Sequence, residues 1–449
     1  MSLGVFATDF PLALPQLALN AQNIEVLHQA EQYRQKLLQL IAAARSRIYI
    51  VALYLEDDEA GRSIMDALYL AKQQRPQLEV QVMVDWHRAQ RGLIGEKSAK
   101  GNAAMYQHYQ RLFPDLITIS GVPVSNRELF GVLHLKGSII DDTVVYSGAS
   151  LNDVYLAQGQ RYRFDRYLLL SHSRLADTLV NYLDQQLLAS NAVSSLSSDR
   201  PANTKALKAA IRGLRAGLQR EQYRYHPQSL GPQQLAVTPM LGLGSRRNLL
   251  NNTIRRLIAH AQQHIILCTP YFNPPRSLKR ELSKALRRGV KVNLIVGDKT
   301  ASDFYRQPQQ AFKAIHALPY LYEMNLRQFI QRKQRYIDRG LLTIELWSDV
   351  DNSFHVKGLW VDQRYNLLTG NNFNPRAWRL DLENGLLLDD PAGLMAQQNQ
   401  QELENILSHT TRITSAQDLE SLSAYPQPVQ RLLKRISRLR ADRLLKQLL

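Results

Sequence analysis

Two histidines in this chain each stand two residues before a lysine and seven before an aspartate. The first phrase reads Gly-Val-Leu-His134-Leu-Lys136-Gly-Ser-Ile-Ile-Asp141, and the second Ser-Phe-His355-Val-Lys357-Gly-Leu-Trp-Val-Asp362. Each is trailed by a small polar run, Gly148-Ala-Ser150-Leu-Asn152 and then Gly370-Asn-Asn372-Phe-Asn374. Side chains alternate faces along an extended chain, so each His shares a face with its Lys. Two such segments brought together would set two imidazoles and two ammonium groups around one point. That arrangement suits transfer of a phosphoryl-type group from one alcohol to another.

A neutral imidazole attacks phosphorus, and a protonated one protonates the leaving oxygen. A pair of them can serve both steps of one turnover. Each needs a carboxylate on its second ring nitrogen to fix the tautomer. Asp165 and Glu383 are the candidates, because each comes just before a Leu run at equivalent places. Lys136, Lys357, Asn152 and Asn374 would neutralise the non-bridging oxygens, with Ser150 and Asn372 of the same runs as further substrate-binding candidates. Asp141 and Asp362 close each motif and are carried with the catalytic set. Their place five residues past the Lys favours a structural salt bridge over proton transfer. The site needs no metal and no cofactor.

The elements that must position these groups repeat. A helix over 26–44, a strand over 48–55, a helix over about 62–73 and a strand around 80–84 make a β-α-β unit. The first phrase follows as a hairpin, then a strand over 163–170 and a helix over about 173–189. In the later part, helix 248–262, strand 264–269, helix 276–288, strand 290–296, an inserted helical stretch at 308–338 and strand 341–347 lead into the second phrase. An internal repeat of roughly 200 residues is the consequence. The fold class is α/β: two pseudo-symmetric α-β-α halves with mixed sheets, the active site between them, and a basic C-terminal helix. The divisions are 1–189, a basic helical linker at 190–235, 236–410, and a basic tail at 411–449.

Other residues join the site by position. Arg88 and Arg91 leave the carboxyl end of the second strand, where open α/β sheets meet ligands, and an Arg pairs bidentately with phosphate or carboxylate. Tyr54 and Tyr271 end equivalent strands, and Arg376 follows the second polar run.

Charge is unevenly placed. Residues 1–200 hold 19 Lys+Arg and 20 Asp+Glu, whereas 201–449 hold 37 and 19, so the whole basic excess lies later in the chain. That implies an anionic partner, either nucleic acid or an acidic membrane surface. The end of the chain concentrates it: Arg431, Lys434, Arg435, Arg438, Arg440, Arg443 and Lys446 against Asp442. Leu432, Ile436 and Leu439 hold one helical face there. Up to ~6 kcal/mol of attraction to an anionic leaflet follows at ~1 kcal/mol per basic residue, before screening. No run approaches 18 apolar residues, so no spanning helix is expected. The single cysteine, Cys268, sits in an apolar strand-like run and forms no internal disulfide.

The paired His-Lys-Asp phrases and their tails resemble the phospholipase D superfamily. Val51-Ala-Leu-Tyr-Leu-Glu56, Val84-Asp-Trp-His-Arg-Ala-Gln-Arg-Gly92, Tyr146-Ser-Gly-Ala-Ser-Leu-Asn-Asp-Val-Tyr155 and Thr369-Gly-Asn-Asn-Phe-Asn-Pro-Arg-Ala-Trp378 resemble, more narrowly, the Gram-negative phosphatidylserine synthase family. The likeness runs from about residue 30 to the carboxyl end. It implies two phospholipase D-like halves and transfer of a phosphatidyl group from CDP-diacylglycerol to L-serine through a phosphatidyl-histidine. It also implies His134 as nucleophile and His355 as acid/base, with Glu383 on His134 and Asp165 on His355; the converse pair of roles fits the sequence equally. Peripheral attachment to the inner face of the cytoplasmic membrane and association with ribosomes belong to the same expectation. The rivals are a metal-independent nuclease, a cardiolipin synthase, or a basic nucleic-acid-binding or ribosome-binding protein.

Overall fold

The structure, a computed structural model, describes residues 14–91, 101–198, 205–307 and 309–438, with the side chains of 437 and 438 outside that description. Two mixed sheets carry the repeat. In the first, three parallel strands (Arg47–Ala52, Glu79–Asp85, Thr118–Val122) lie side by side, and the hairpin Gly137–Ile140 and Thr143–Ser147 runs antiparallel beside the first of them. Tyr167–Ser171 and Ile24–Leu27 complete that flank. The second sheet repeats the plan with His264–Thr269, Lys291–Gly297 and Leu342–Trp347 as its parallel core, and Gly358–Val361 and Tyr365–Thr369 as its hairpin. Glu383–Asp389 then pairs with Tyr365–Thr369 as Tyr167–Ser171 pairs with Thr143–Ser147. Helices Ala30–Ala43, Glu59–Gln74, Leu249–His260 and Arg276–Arg288 cover the sheets with their apolar faces buried.

Several expected boundaries move. Residues 24–27 form an edge strand, so the first helix begins at Ala30, after Gln29. Strand Leu17–Asn20 joins the second sheet through Gln234–Gly242, and Ser194–Ser195 extends the first. Strand Thr410–Ile413 pairs with Leu342–Trp347, so the second half continues past 410. The divisions at 189 and 410 therefore cut through sheets. In the linker, helix Lys208–Leu218 buries Ile211, Leu214 and Leu218 and leaves Lys208 and Arg212 exposed. The halves share one continuous apolar cluster, in which Leu133, Leu135 and Tyr146 meet Leu368, Leu382 and Leu386.

The two hairpin turns explain the motif aspartates. Asp141 and Asp362 have φ of 49° and 54°, a left-handed backbone that Asp tolerates. The Asp141 carboxylate accepts from the N–H groups of Arg45, Ser46 and Arg47 at 2.8–3.2 Å and from the Ser46 hydroxyl at 2.7 Å. Asp362 accepts from Gln262, Gln263 and His264 N–H at 2.8–2.9 Å. Each ties its hairpin to the backbone entering the first core strand of its own half. Their placement with the catalytic set is corrected, and so is the salt bridge, since backbone N–H groups are the partners. Asp141→Ala should cost about 1–2 kcal/mol by orphaning these donors, much as loss of a helix cap does. A urea melt checks this; an unchanged midpoint would contradict it.

Candidate active site

The segments leading into the two motif histidines are not strands of either sheet. Val132–Leu133 and Ser353–Phe354 reach across to the opposite half and pair there. Leu133 bridges Leu382, with His134 N–H donating to Leu382 O at 3.0 Å and Leu382 N–H to Val132 O at 3.0 Å. Likewise Ser353–Phe354 pairs with Arg163–Phe164, and His355 N–H donates to Phe164 O at 2.8 Å. The residue after each partner is the carboxylate. Glu383 Oε2 thus lies 2.8 Å from His134 Nδ1, and Asp165 Oδ2 lies 2.8 Å from His355 Nδ1. Each half lends its carboxylate to the other half's histidine.

The two polar tails do the same for the lysines. A Cβ on Gly148 would come 2.3 Å from Lys357 Nζ and 2.7 Å from the Asp165 oxygens. A Cβ on Gly370 would come 2.8 Å from Lys136 Cγ. Each tail begins with glycine because the other half's lysine passes against it. Lys357 Nζ reaches Asp165 Oδ2 at 2.8 Å and His355 Nδ1 at 2.6 Å, and Lys136 Nζ donates to Ser150 Oγ at 3.2 Å. The register is locked by Asn384, which exchanges two 2.9 Å bonds with the backbone of Lys136.

The electrostatics follow from burying six ionisable groups together. Burial, with Lys136 and Lys357 close by, holds His134 well below the ordinary imidazole range. Burial and Lys357 bring His355 down to about 3. Burial pushes Glu383 up to about 8, against the pull of both lysines. Burial opposes ionisation of Asp165 too, yet the Lys357 ammonium and the His355 contact hold it at about 2. Burial and Lys357 bring Lys136 to about 7. The His134–Glu383 pair therefore loses its second proton as a unit near pH 8. With one proton left on Nδ1, Nε2 presents a lone pair. Among the described residues nothing hydrogen-bonds to that Nε2, whereas the Tyr155 hydroxyl lies 3.1 Å from Nε2 of His355 and 3.0 Å from its Nδ1. Burial keeps the Tyr155 phenol protonated.

A family model described as "Cardiolipin synthase, PLD-like domain" matches residues 37–187 and 254–407. The CDP-diacylglycerol–serine O-phosphatidyltransferase of Haemophilus influenzae is 47% identical over 97% of each chain. That of Escherichia coli is 46% identical over 97% of this chain and 96% of its own. The crystal structure of the Haemophilus influenzae phosphatidylserine synthase superimposes with a TM-score of 0.93 over 97% of each chain, at 46% identity. The chain belongs to the phosphatidylserine synthase family with phospholipase D-like halves. In this family member, then, the fold class read from the repeat is the fold observed.

The remaining site candidates divide. Asn374 caps helix Pro375–Arg379 by accepting from Ala377 N–H at 2.9 Å, and among the described residues its Nδ2 makes no hydrogen bond. Asn152 is similarly committed: Oδ1 accepts from Tyr155 N–H at 3.0 Å and Nδ2 donates to Glu56 at 2.9 Å. Through their carboxamide oxygens both asparagines hold the loops that carry the site. Asn372 offers a buried Oδ1 without a partner among the described residues. Arg88 lies 4.7 Å over the Tyr54 ring. Arg91 forms an ion pair with Glu128, Nε to Oε2 at 2.6 Å. Arg376 donates to Asp381 and to the backbone oxygen of Glu128 at 2.8 Å, pinning the 128–130 turn ahead of His134. The rings of Tyr271 and His355 are 6.5 Å apart. Tyr155, Asn384 and Arg163 were not singled out as site residues from sequence; each lies beside a motif, but what it touches lies about 200 residues away.

The basic tail is corrected in one respect. Helix Gln427–Arg438 buries Val429 and Leu433, with Leu432 packed beside them, against Ala317, Tyr320 and Leu321, while Ile436 is half-buried and Leu439 lies outside the described residues. Arg431, Lys434 and Arg435 are exposed on the other side. Arg440, Arg443 and Lys446, and the side chain of Arg438, lie outside the described residues. Among the described residues no helix is long and apolar enough to cross a membrane.

Proposed function

We propose that this protein transfers the phosphatidyl group of CDP-diacylglycerol to the hydroxyl of L-serine, releasing CMP and forming phosphatidylserine. The observation that carries the reading is the reciprocal exchange of carboxylates, which makes two histidines with separate environments share one buried site. His134 Nε2 attacks the phosphorus bearing diacylglycerol. The P–O bond to CMP breaks, and its electron pair leaves on the CMP phosphate. The serine oxygen then attacks the phosphorus, the P–N bond breaks back to Nε2, and His355 takes the hydroxyl proton. The unengaged Nε2 of His134 supports the nucleophile's role, and the Tyr155 contact on His355 supports the acid/base role. Lys136 and Lys357, lowered by burial, are drawn back toward full charge by the anionic pyrophosphate.

The test is release of labelled CMP from CDP-diacylglycerol with and without serine, alongside plasmid cleavage without metal. Serine-dependent CMP release with intact plasmid supports the reading. Plasmid cleavage without CMP release would make the protein a nuclease of the same superfamily.

Access to the lipid is peripheral in this account. The exposed cations of the last helix adsorb to an anionic leaflet by charge, since Val429 and Leu433 of that helix are already covered by protein. Replacing Arg431, Lys434 and Arg435 by Glu should weaken sedimentation with anionic vesicles by roughly 10-fold or more, because each cation near the surface contributes ~1 kcal/mol. Equal sedimentation at moderate salt would remove this helix from membrane contact.

A further inference from the structure

Serine differs from water and glycerol in carrying a carboxylate and an ammonium together, so an enzyme that selects it needs one cation and one anion beside the acceptor position. Next to His355 the two halves contribute such a pair. Arg163 Nη2 lies 2.5 Å from Asp303 Oδ1, one residue from each half. Arg163 stands two residues before Asp165, so it shares a face with the carboxylate that holds His355. Its guanidinium lies 4.4 Å over the Tyr155 ring, and that ring is 5.2 Å from the His355 ring. One tyrosine therefore separates the cation from the imidazole that accepts the hydroxyl proton. Tyr271, also beside His355, touches Asp303 from the other side through a long 3.4 Å bond.

Both charges keep valence to spare. Arg163 uses Nη2 on Asp303 and Nε on Ser353 Oγ at 3.1 Å, and among the described residues Nη1 makes no hydrogen bond. The pair is partly reachable, with side-chain exposures of 14% and 23%, although nearly everything around it is buried.

We infer that Arg163 and Asp303 are the receptor for the zwitterionic end of the amino-acid acceptor, the guanidinium taking the carboxylate and the Asp303 carboxylate taking the ammonium. Binding exchanges one internal ion pair for two charge-assisted contacts and adds no net charge to a buried site. The acceptor's hydroxyl is thereby turned toward His355. A neutral alcohol leaves the two charges to each other and gains nothing, which is the usual basis for rejecting an acceptor that lacks the matching groups. The inference rests on the transferase reading above.

The test compares serine with serinol, which lacks the carboxylate, and with 3-hydroxypropionate, which lacks the ammonium. Arg163→Gln should lower the preference for serine over serinol by roughly 10- to 100-fold, the worth of a charge-assisted bond, while sparing the preference over 3-hydroxypropionate. Asp303→Asn should do the reverse. If both variants slow all three acceptors alike, the pair only ties the halves together and the inference fails. Should either variant not fold, wild-type enzyme still decides: alanine, a zwitterion with no hydroxyl, should compete with serine where propylamine and propionate do not. No competition by alanine would overturn the inference. A wild-type protein that transfers nothing to serine would instead overturn the transferase reading itself.

Discussion

His134→Ala abolishes CMP release from CDP-diacylglycerol with or without serine, lowering kcat by roughly 10⁴- to 10⁶-fold, as removal of a covalent nucleophile does. The expectation comes from the contrast between the two rings. Both are buried and neutral, and both are held at Nδ1 by a carboxylate from the opposite half. Among the described residues the Nε2 of His134 makes no hydrogen bond, whereas that of His355 meets the Tyr155 hydroxyl. His355→Ala should be milder in the first step, roughly 10²- to 10⁴-fold, because CMP leaves as a stabilised phosphate with little need of a proton. A pre-steady-state burst of CMP in the His355 variant, and none in the His134 variant, is the pattern expected. A burst in the His134 variant would reverse the roles.

The second large effect is at the exchanged carboxylates. Glu383→Gln and Asp165→Asn keep shape and lose charge, and each should cost roughly 10²- to 10⁴-fold in kcat by releasing the tautomer of the histidine it holds. Their pH signatures have opposite signs. Glu383 is raised from 4.5 to about 8, so the native state keeps a proton that the unfolded chain has lost between those values. Its contribution to stability is complete below pH 4.5 and declines as pH rises to 8. Asp165 is lowered from 3.8 to about 2, so its contribution is complete above pH 3.8 and is lost as pH falls through 2. Either slope is bounded by about 1.4 kcal/mol per pH unit. Thermal melts across pH 4 to 9 should show a decline in the wild type that flattens in Glu383→Gln. The first half-reaction should rise with pH toward 8 as the His134–Glu383 pair gives up its second proton, and that limb should vanish in the same variant. A melting curve and a rate profile unchanged by Glu383→Gln would contradict the shared proton.

Much of this was legible before any coordinates. A repeated phrase in a repeated fold announces two equivalent halves, since chemistry that needs two imidazoles is met most simply by duplicating one. Periodicity placed strand His264–Thr269 and helix Arg276–Arg288 to the residue. What stayed hidden depends on contacts across some 200 residues of chain. Period-two alternation shows that His134 and Lys136 share a face, not that the segment leaves its own sheet to pair with Leu382. Composition shows Asp141 beside a turn, not that three N–H groups converge on it. The stripe of Leu432, Ile436 and Leu439 is visible near the end of the chain, whereas the residues buried there are Val429 and Leu433, because these meet Tyr320 and Leu321 in a helix a hundred residues earlier. Arg91 reads as an anion ligand because a loop arginine usually has nothing else to do, but here Glu128 occupies it.

The central claim is a covalent one, and mass spectrometry reads it directly. Wild-type protein mixed with CDP-diacylglycerol in vesicles without serine, quenched in cold denaturant near neutral pH and digested there, should yield the peptide around His134 carrying the phosphatidyl mass as an acid-labile adduct. Added serine should discharge it as phosphatidylserine. An adduct on His355, or no adduct while CMP is released at the normal rate, would contradict the account.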